Sequence, residues 1–484
     1  MASERPNIVL VMADQFRGDC LGRAGHPDLL TPNLDALSYR GAYFPNAFSE
    51  CPICIPARHA IMTGLRPQTS GVTGFAMTAR IADEENTLPN LLRRTGYQTA
   101  SIGRSMHTYP HYKRYGFEVV RHHQDRFYRD HPEVRPLSNI GGGWSDWPHL
   151  HGHGLTVNGV NARPWHLDES LHETNSAFGG AIDFLDHRDL EAPFFLHVGT
   201  VAPHPPLLPP ACYYQRYDRP GLRPPVVGDW VDTPGCPLEN PPHLAPPLSA
   251  QDGRFILREP QRQSTLAGYY GLINHFDDQL QLLLARLASE QQLANTYVIF
   301  TSDHGEMLGD HHCFRKALPY QGSVRIPFFI SGPSIAPRQM IDRPIVLMDI
   351  LPTCCELAGV EIPKTVEGQS LVPVLSGAPA GERVVHGTHS EMAGLHGGFH
   401  YLTDGRWKYI WWTRDGQEQL FDLTNDPGEL HDLVGNPRES ERLALWRARL
   451  LEHIRDAPEG FVHNGRLVSG LRYSSSNRNA KLDA

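Results

Sequence analysis

Six short stretches of this chain carry side chains that could do chemistry together. Asp14-Gln15 and Asp303-His304 supply two carboxylates, an amide oxygen and an imidazole. That donor set suits a hard or borderline divalent cation, Ca²⁺, Mg²⁺ or Mn²⁺. Zinc would more often recruit further His or Cys ligands. Cys54-Ile55-Pro56-Ala57-Arg58 places a nucleophile, a proline and a guanidinium within five residues. Proline suits the first turn of a helix, where its missing N–H would be unpaired anyway. A helix through His59, Ile61 and Met62, stopping at Gly64, then puts Cys54 just before a helix N-terminus. Such an end carries partial positive charge and free N–H groups, and Arg58, one turn on, can point back at the same anion. Taken alone, the segment fits a buried structural cysteine equally well. Cys51 and Cys54 also have the spacing of half a zinc knuckle, but Cys354-Cys355 are adjacent and make a poor second pair. The remaining candidates are Arg104 and His107, His204, and Lys316.

The elements that must position these residues show as apolar runs. Residues 7–12 end near Asp14-Gln15, and residues 297–300 end near Asp303-His304. Residues 194–198 lead to Pro203-His204, and residues 99–102 lead to Arg104 and His107. In open α/β sheets, ligands gather beyond the carboxyl ends of parallel strands. Helical patterns at 88–95, 265–287 and 349–357 alternate with the runs. The expected fold class is therefore α/β, a large mostly parallel β-sheet flanked by helices. Residues 203–247 are Pro-rich and read as a long surface excursion bordering the site. Residues 122–153, with Gly141-Gly142-Gly143-Trp144, read as a loop, either solvated or facing substrate. After Gly377 the texture changes. Residues 401–402, 407–412 and 419–423 look like short antiparallel strands, with turns at Asp404-Gly405 and Asp415-Gly416. A catalytic domain over 1–377 and a smaller α+β C-terminal subdomain over 378–484 are expected. Trp411-Trp412 reads as packing in that subdomain, and the tail from Ser474 as loose.

The bulk numbers narrow the function classes. The chain has 484 residues, a net charge of −9, 44 glycines and 41 prolines. The acidic balance disfavours nucleic-acid or anionic-membrane binding, and an anionic substrate would need a local cationic pocket. No signal-like or membrane-length apolar run is present, so a cytoplasmic protein is expected. Eight cysteines in so long a chain are no disulfide framework.

Ordered motifs carry a resemblance. Cys54-Ile55-Pro56-Ala57-Arg58 followed by Met62-Thr63-Gly64 resembles the sulfatase signature C-x-P-x-R with its trailing T-G. "PNIVLVMADQ" resembles that family's first strand and metal pair, and "TSDHGEMLGDHHCFRK" its second metal pair and substrate lysine. "VAPHPP" is similar to its P-H-x-P segment, and "FDLTNDPGELHDL" to its C-terminal motif. The family belongs to the alkaline-phosphatase-like superfamily.

The resemblance implies a set of roles. Cys54 would be oxidised to formylglycine by a formylglycine-generating enzyme, and its hydrate would be the nucleophile; Cys51 would only pack. Asp14, Gln15, Asp303 and His304 would hold the divalent metal, Ca²⁺ before Mn²⁺ or Mg²⁺, with residue 54 adding an oxygen. Arg58 would position the hydrate, and Lys316 would meet the sulfate and the leaving oxygen. His204 would lie near the leaving group and, with Lys316, is a candidate to protonate it. His107 would be the base that releases sulfate. The family's G-K-x-H segment reads Gly103-Arg104-Ser105-Met106-His107 here, one residue longer, so Arg104 or Ser105 takes the lysine's place. His311 and His312 read as a solvated loop. The expected activity is hydrolysis of a sulfate monoester of a small molecule or sugar. Gln15, His304 and the altered segment keep a phosphonate monoester or phosphodiester hydrolase as the second reading. A non-catalytic binder of sulfated or phosphorylated ligands is the third. The sequence leaves a homo-oligomer open and does not name the alcohol.

Overall fold

The computed structural model describes residues 5–122, 155, 158–232, 256–390 and 397–475. Strand β1 (Asn7–Asp14) organises the molecule. All eight of its residues are buried, because both of its faces are covered. Val9, Val11 and Ala13 enter one apolar core, and Ile8, Leu10 and Met12 enter a second. This two-sided burial is why β1 reads as a continuous apolar run. Truncating Leu10 to Ala would cost about 2–5 kcal/mol.

Helices cover both faces. Residues of the Glu173–His187 and Gln261–Ser289 helices fill the first core. Residues of the Cys54–Thr63, Leu88–Arg93 and Ile350–Leu357 helices fill the second. The sheet has eight strands. From one edge run β5 (Val119–His122), β4 (Gln98–Gly103), β6 (Phe194–Pro203), β1 and β7 (Thr296–Ser302), all parallel. β8 (Phe328–Ser331) is antiparallel to β7, β2 (Ala42–Tyr43) is antiparallel to β8, and β9 (Gln339–Met340) closes the edge. β3 (Ala47–Phe48) pairs with β10 (Ile345–Val346). A separate antiparallel sheet follows in the order β11 (Val385–His389), β12 (Phe399–Thr403), β13 (Trp407–Trp412) and β14 (Glu418–Asp422). The last strands, β15 (Val462–His463) and β16 (Arg466–Leu467), form a hairpin. The fold class is the expected one: α/β, mostly parallel, with a C-terminal antiparallel sheet.

Several local expectations need correction. The helix expected from Pro56 starts at Cys54, with Ile53 as its cap, and it stops as expected at Gly64, whose φ is 66°. Cys54 is therefore inside the first turn rather than before it. The Pro-rich segment runs over the surface in the later part of its described residues, 218–232, but not at its start. Residues 203–210 are buried, and the Ala211–Tyr217 helix lies on the Gln261–Ser289 helix, where Tyr217 donates to Asn274. Its remainder and the 123–153 loop, including Trp144, lie outside the described residues. β11 was missed because Val385 is its only large aliphatic residue; Gly387 is needed there, since a Cβ would collide with the Tyr401 ring. Trp411 and Trp412 are buried in the C-terminal cores, as expected. The seven described cysteines are all free, and Cys51 packs with Ile53 and Ala317. No helix among the described residues is long and apolar enough to cross a membrane.

Candidate active site

β1 and β7 are neighbours in parallel register, Ala13 opposite Ser302. Their carboxyl ends therefore deliver Asp14 and Asp303 to the same place, and both side chains are buried. Ligand atoms of Asp14, Cys54, Asp303 and His304 all lie within 4.8 Å of one another. The imidazole is oriented for ligation: His304 Nδ1 lies 3.0 Å from the carbonyl oxygen of Gly305 and donates to it. Its Nε2 lone pair then faces the cluster, 3.6 Å from both Asp14 Oδ1 and Asp303 Oδ1. Burial holds the His304 imidazole below its ordinary value, hence neutral, as ligation requires. Burial alone would raise the Asp14 carboxyl, yet Arg104, His204 and Arg58 keep it well below the usual carboxylate range. The donor set fits a divalent cation.

Gln15 completes the set by sequence, and its backbone is unusual. Its φ is 68°, a left-handed value costly for a residue with a side chain. The backbone is pinned: its N–H donates to Asp303 Oδ1 at 3.2 Å, and its carbonyl accepts from Tyr269 at 2.6 Å. The side-chain amide donates to Glu306 and accepts from Lys316 Nζ, the latter at 2.6 Å. Gln15 thus joins the cation cluster to the lysine.

The Cys54–Thr63 helix brings the nucleophile and the guanidinium. Cys54 Sγ is 3.2 Å from His304 Nε2 and 3.7 Å from Asp14 Oδ1. The cap residue Ile53 offers no side-chain acceptor, so the first-turn N–H groups have no side-chain cap. Burial, helped by Asp14, pushes the Cys54 thiol up to about 12; a divalent cation among the same groups acts in the opposite sense. Arg58 is fully buried. Nε donates to Asp303 Oδ2 and Nη2 to Asp14 Oδ2, each at 2.9 Å, and Nη1 to the Ser105 carbonyl at 2.7 Å. Its donors are committed to the two carboxylates and to the loop after β4.

That loop brings Arg104 and His107. Arg104 Nε lies 2.6 Å from Asp14 Oδ2, whereas Ser105 serves with its carbonyl to Arg58 and its Oγ to His107 N. Arg104, rather than Ser105, enters the site. His107 adopts a φ of 51°, and its Nε2 is buried with no hydrogen-bond partner among the described residues. Burial, then Arg104 and Arg58, hold it well below its ordinary value. His204, after β6, lies with Nδ1 2.5 Å from the Pro205 carbonyl oxygen. Burial, then Lys316, lowers it well below its ordinary value. Asp14, Asp303 and Glu306 thus share the site with Arg58, Arg104 and Lys316, which set positive charge where an anionic substrate needs it in an acidic chain.

The family model for sulfatases matches residues 6–360. The chain belongs to the sulfatase family. A second model, described as N-sulphoglucosamine sulphohydrolase, C-terminal, matches residues 309–456 of this sulfatase. An arylsulfatase of Clostridium perfringens is 35% identical over 97% of this chain and 99% of its own length. A choline-sulfatase of Rhizobium meliloti is 30% identical over 90% of this chain and 84% of its own. A phosphonate monoester hydrolase of Agrobacterium radiobacter, solved by crystallography, is 25% identical with a TM-score of 0.75, covering 93% of this chain and 96% of its own. The sulfatase is an enzyme, a hydrolase.

Every site residue expected from the sequence comes to this one region. Glu306 was overlooked. Its carboxylate takes the Gln15 amide and the N–H groups of Leu308, at 2.9 Å, and Arg315. It lies within the "TSDHGE" stretch, but a carboxylate that acts by accepting from backbone has no periodic signal. Glu173, beside Arg104 and pushed up to about 8 by burial, was also missed. His311 is not in a solvated loop. It is buried, accepts from Gly228 N at 3.1 Å and packs on Trp230.

Proposed function

We propose that this sulfatase hydrolyses a sulfate monoester of a small molecule or sugar to the alcohol and inorganic sulfate. In this reading Cys54 matures to formylglycine through a formylglycine-generating enzyme. A divalent cation, Ca²⁺ before Mn²⁺ or Mg²⁺, is held by Asp14, Gln15, Asp303, His304 and residue 54. The observation that carries it is the convergence of Cys54 Sγ with the ligand atoms of Asp14, Asp303 and His304, all buried within 4.8 Å. Sγ stands where the matured residue's oxygen would be. When bound, the cation supplies a Lewis acid for a sulfate oxygen, and formylglycine supplies a hydrated aldehyde as nucleophile.

The chain's own residues do the rest. Arg58 locks both carboxylates in ligating orientation. Arg104 and Lys316 supply fixed positive charge where negative charge builds on the sulfuryl oxygens. His204, donating from Nδ1 to the Pro205 carbonyl, presents a lone pair at Nε2 when neutral. It therefore accepts rather than donates at that nitrogen, which favours Lys316 Nζ as the group that protonates the leaving oxygen. His107 is neutral and carries an unpartnered buried Nε2, as a base requires. Free cysteines throughout the described residues support a cytoplasmic setting.

The test is the mass of the tryptic peptide 41–58, from protein made with and without a formylglycine-generating enzyme. An aldehyde in place of the thiol at residue 54, together with turnover of an aryl sulfate, supports the reading. An intact thiol in active protein overturns it. The similarity to phosphonate monoester hydrolases favours one second reading, the same site acting on phosphonate monoesters or phosphodiesters. A phosphonate preference above about tenfold in kcat/KM, about 1.4 kcal/mol in barrier, would replace the first reading with the second.

A further inference from the structure

Lys316 is held from two sides. On its near side, Nζ meets Gln15, and the next residue, Ala317, donates its N–H to the Pro52 carbonyl at 2.9 Å. On its far side, Gln321 donates its N–H to Glu429 Oε2 at 2.7 Å. Glu429 is 1% exposed, and its other oxygen accepts from Lys408 Nζ of β13 at 2.6 Å; Lys408 is 0% exposed. The Glu429 carbonyl accepts from Trp230 Nε1 at 2.8 Å, and the Trp230 ring stacks on Tyr320, centroids 5.0 Å apart. Tyr320 in turn donates to Gln419 Oε1 at 2.9 Å. Glu429 itself adopts a left-handed φ of 54°.

This pair is a poor way to stabilise a core. Desolvating two charges costs about what their attraction returns, and apolar residues of similar volume often do as well or better. A non-glycine residue at positive φ adds a further cost, which tends to persist where function needs the geometry. The contact that an apolar replacement could not make is the one to Gln321 N–H. That contact fixes the far end of the segment carrying Lys316.

We propose that the buried Lys408–Glu429 pair, acting through the N–H of Gln321, is a positioning device that holds Lys316 against Gln15. The C-terminal sheet thereby shapes the leaving-group side of a site built on the other sheet. The catalytic consequence rests on the reading of Lys316 as the group that meets the leaving oxygen.

Gln321→Pro isolates the contact. Gln321 is the first residue of its helix, where proline is favoured, and Tyr320, at ψ 158°, has the extended backbone that precedes proline. The substitution deletes one N–H and leaves both charges in place. Glu429→Gln is the second variant. Each is compared with wild type by thermal unfolding, by the acetylation rate of Lys316 relative to exposed Lys364, and by turnover of 4-nitrophenyl and phenyl sulfate. In Gln321→Pro, Tm should move by no more than about 3 °C. Lys316 should be acetylated at least about threefold faster with Lys364 unchanged. The turnover loss should be about tenfold and larger for phenyl sulfate, the poorer leaving group. Unchanged Lys316 acetylation in both variants would overturn the proposal. Faster Lys316 acetylation with a wild-type enzyme that turns over neither ester would overturn the sulfate-ester reading and leave the positioning role standing.

Discussion

At the carboxyl ends of β1 and β7, Asp14 and Asp303 are shared among Arg58, Arg104, Cys54 and His304. Beneath the C-terminal sheet, Lys408 forms an ion pair with Glu429 and lies over the Tyr401 ring. Both clusters are buried, and both set ionic groups where water cannot solvate them. The difference lies in what is left over. Glu429 spends both oxygens on protein partners, one cation and one backbone N–H, and its geometry is closed. At β1 and β7, one oxygen of each carboxylate takes Arg58. Asp303 Oδ1 accepts from the Gln15 and His304 N–H groups, but Asp14 Oδ1 faces His304 Nε2 and Cys54 Sγ, and His107 Nε2 has no partner among the described residues. A closed pair fixes the chain, whereas an open cluster is arranged to receive something.

The largest test of this contrast is chemical. Cys54→Ala should lower kcat by at least about 10⁴-fold, the scale of losing a nucleophile. Calorimetric Ca²⁺ affinity should change by about tenfold or less. Loss of Ca²⁺ binding with little loss of turnover would make Cys54 a ligand and not the nucleophile. Next, Arg58→Met strands two buried carboxylates and should cost the upper end of about 3–5 kcal/mol in urea unfolding. Saturating Ca²⁺ should restore part of that, because the open cluster accepts a replacement cation. Lys408→Met should cost the lower end of about 3–5 kcal/mol, its deficit relative to wild type unchanged by Ca²⁺, and Lys408→Met/Glu429→Leu should regain most of it. A Ca²⁺ gain in Lys408→Met larger than that of wild type would erase the distinction.

The smallest effect concerns pH. Burial lowers His400 to about 3, and its ring stacks on Trp411 and Tyr473. Above about pH 6.5 the ring is neutral folded or unfolded. Between about 6.5 and 3 the unfolded chain takes a proton that the folded chain refuses, so stability falls as pH falls. His400→Phe should flatten that acid limb by up to about 1.4 kcal/mol per pH unit. An unchanged slope would mean that other buried histidines, such as His59 or His389, set it.

The sequence disclosed what is local and periodic. Residues 7–12 and 297–300 are unbroken apolar runs because two helical layers cover their strands, and the polar residues just beyond them had to emerge together. The stop at Gly64 was legible because a positive φ at a helix end favours glycine. Contacts made across the chain left no such mark. Glu306 and Glu429 act by accepting from backbone N–H groups, and the residues that donate carry no constraint on their side chains. His311 sits among charged and polar neighbours in sequence, yet Trp230, about 80 residues earlier, is what buries it. β11 was hidden because pairing with β12, and not its own composition, makes it a strand.

If Cys54 matures as proposed, its depth imposes a schedule. It is 3% exposed, every residue of its helix is buried, and His304, just after β7, lies against it. An enzyme acting on the Cys54 thiol would have no access once the sheet is complete. Asp303 leaves the ribosome about 250 residues after Cys54, which at about 5–20 residues per second is an interval of about 12 to 50 s. On that reading, maturation is a race between a catalyst and a folding chain. The fraction of active molecules in a preparation would record how fast the chain was made as much as how much modifying enzyme was present.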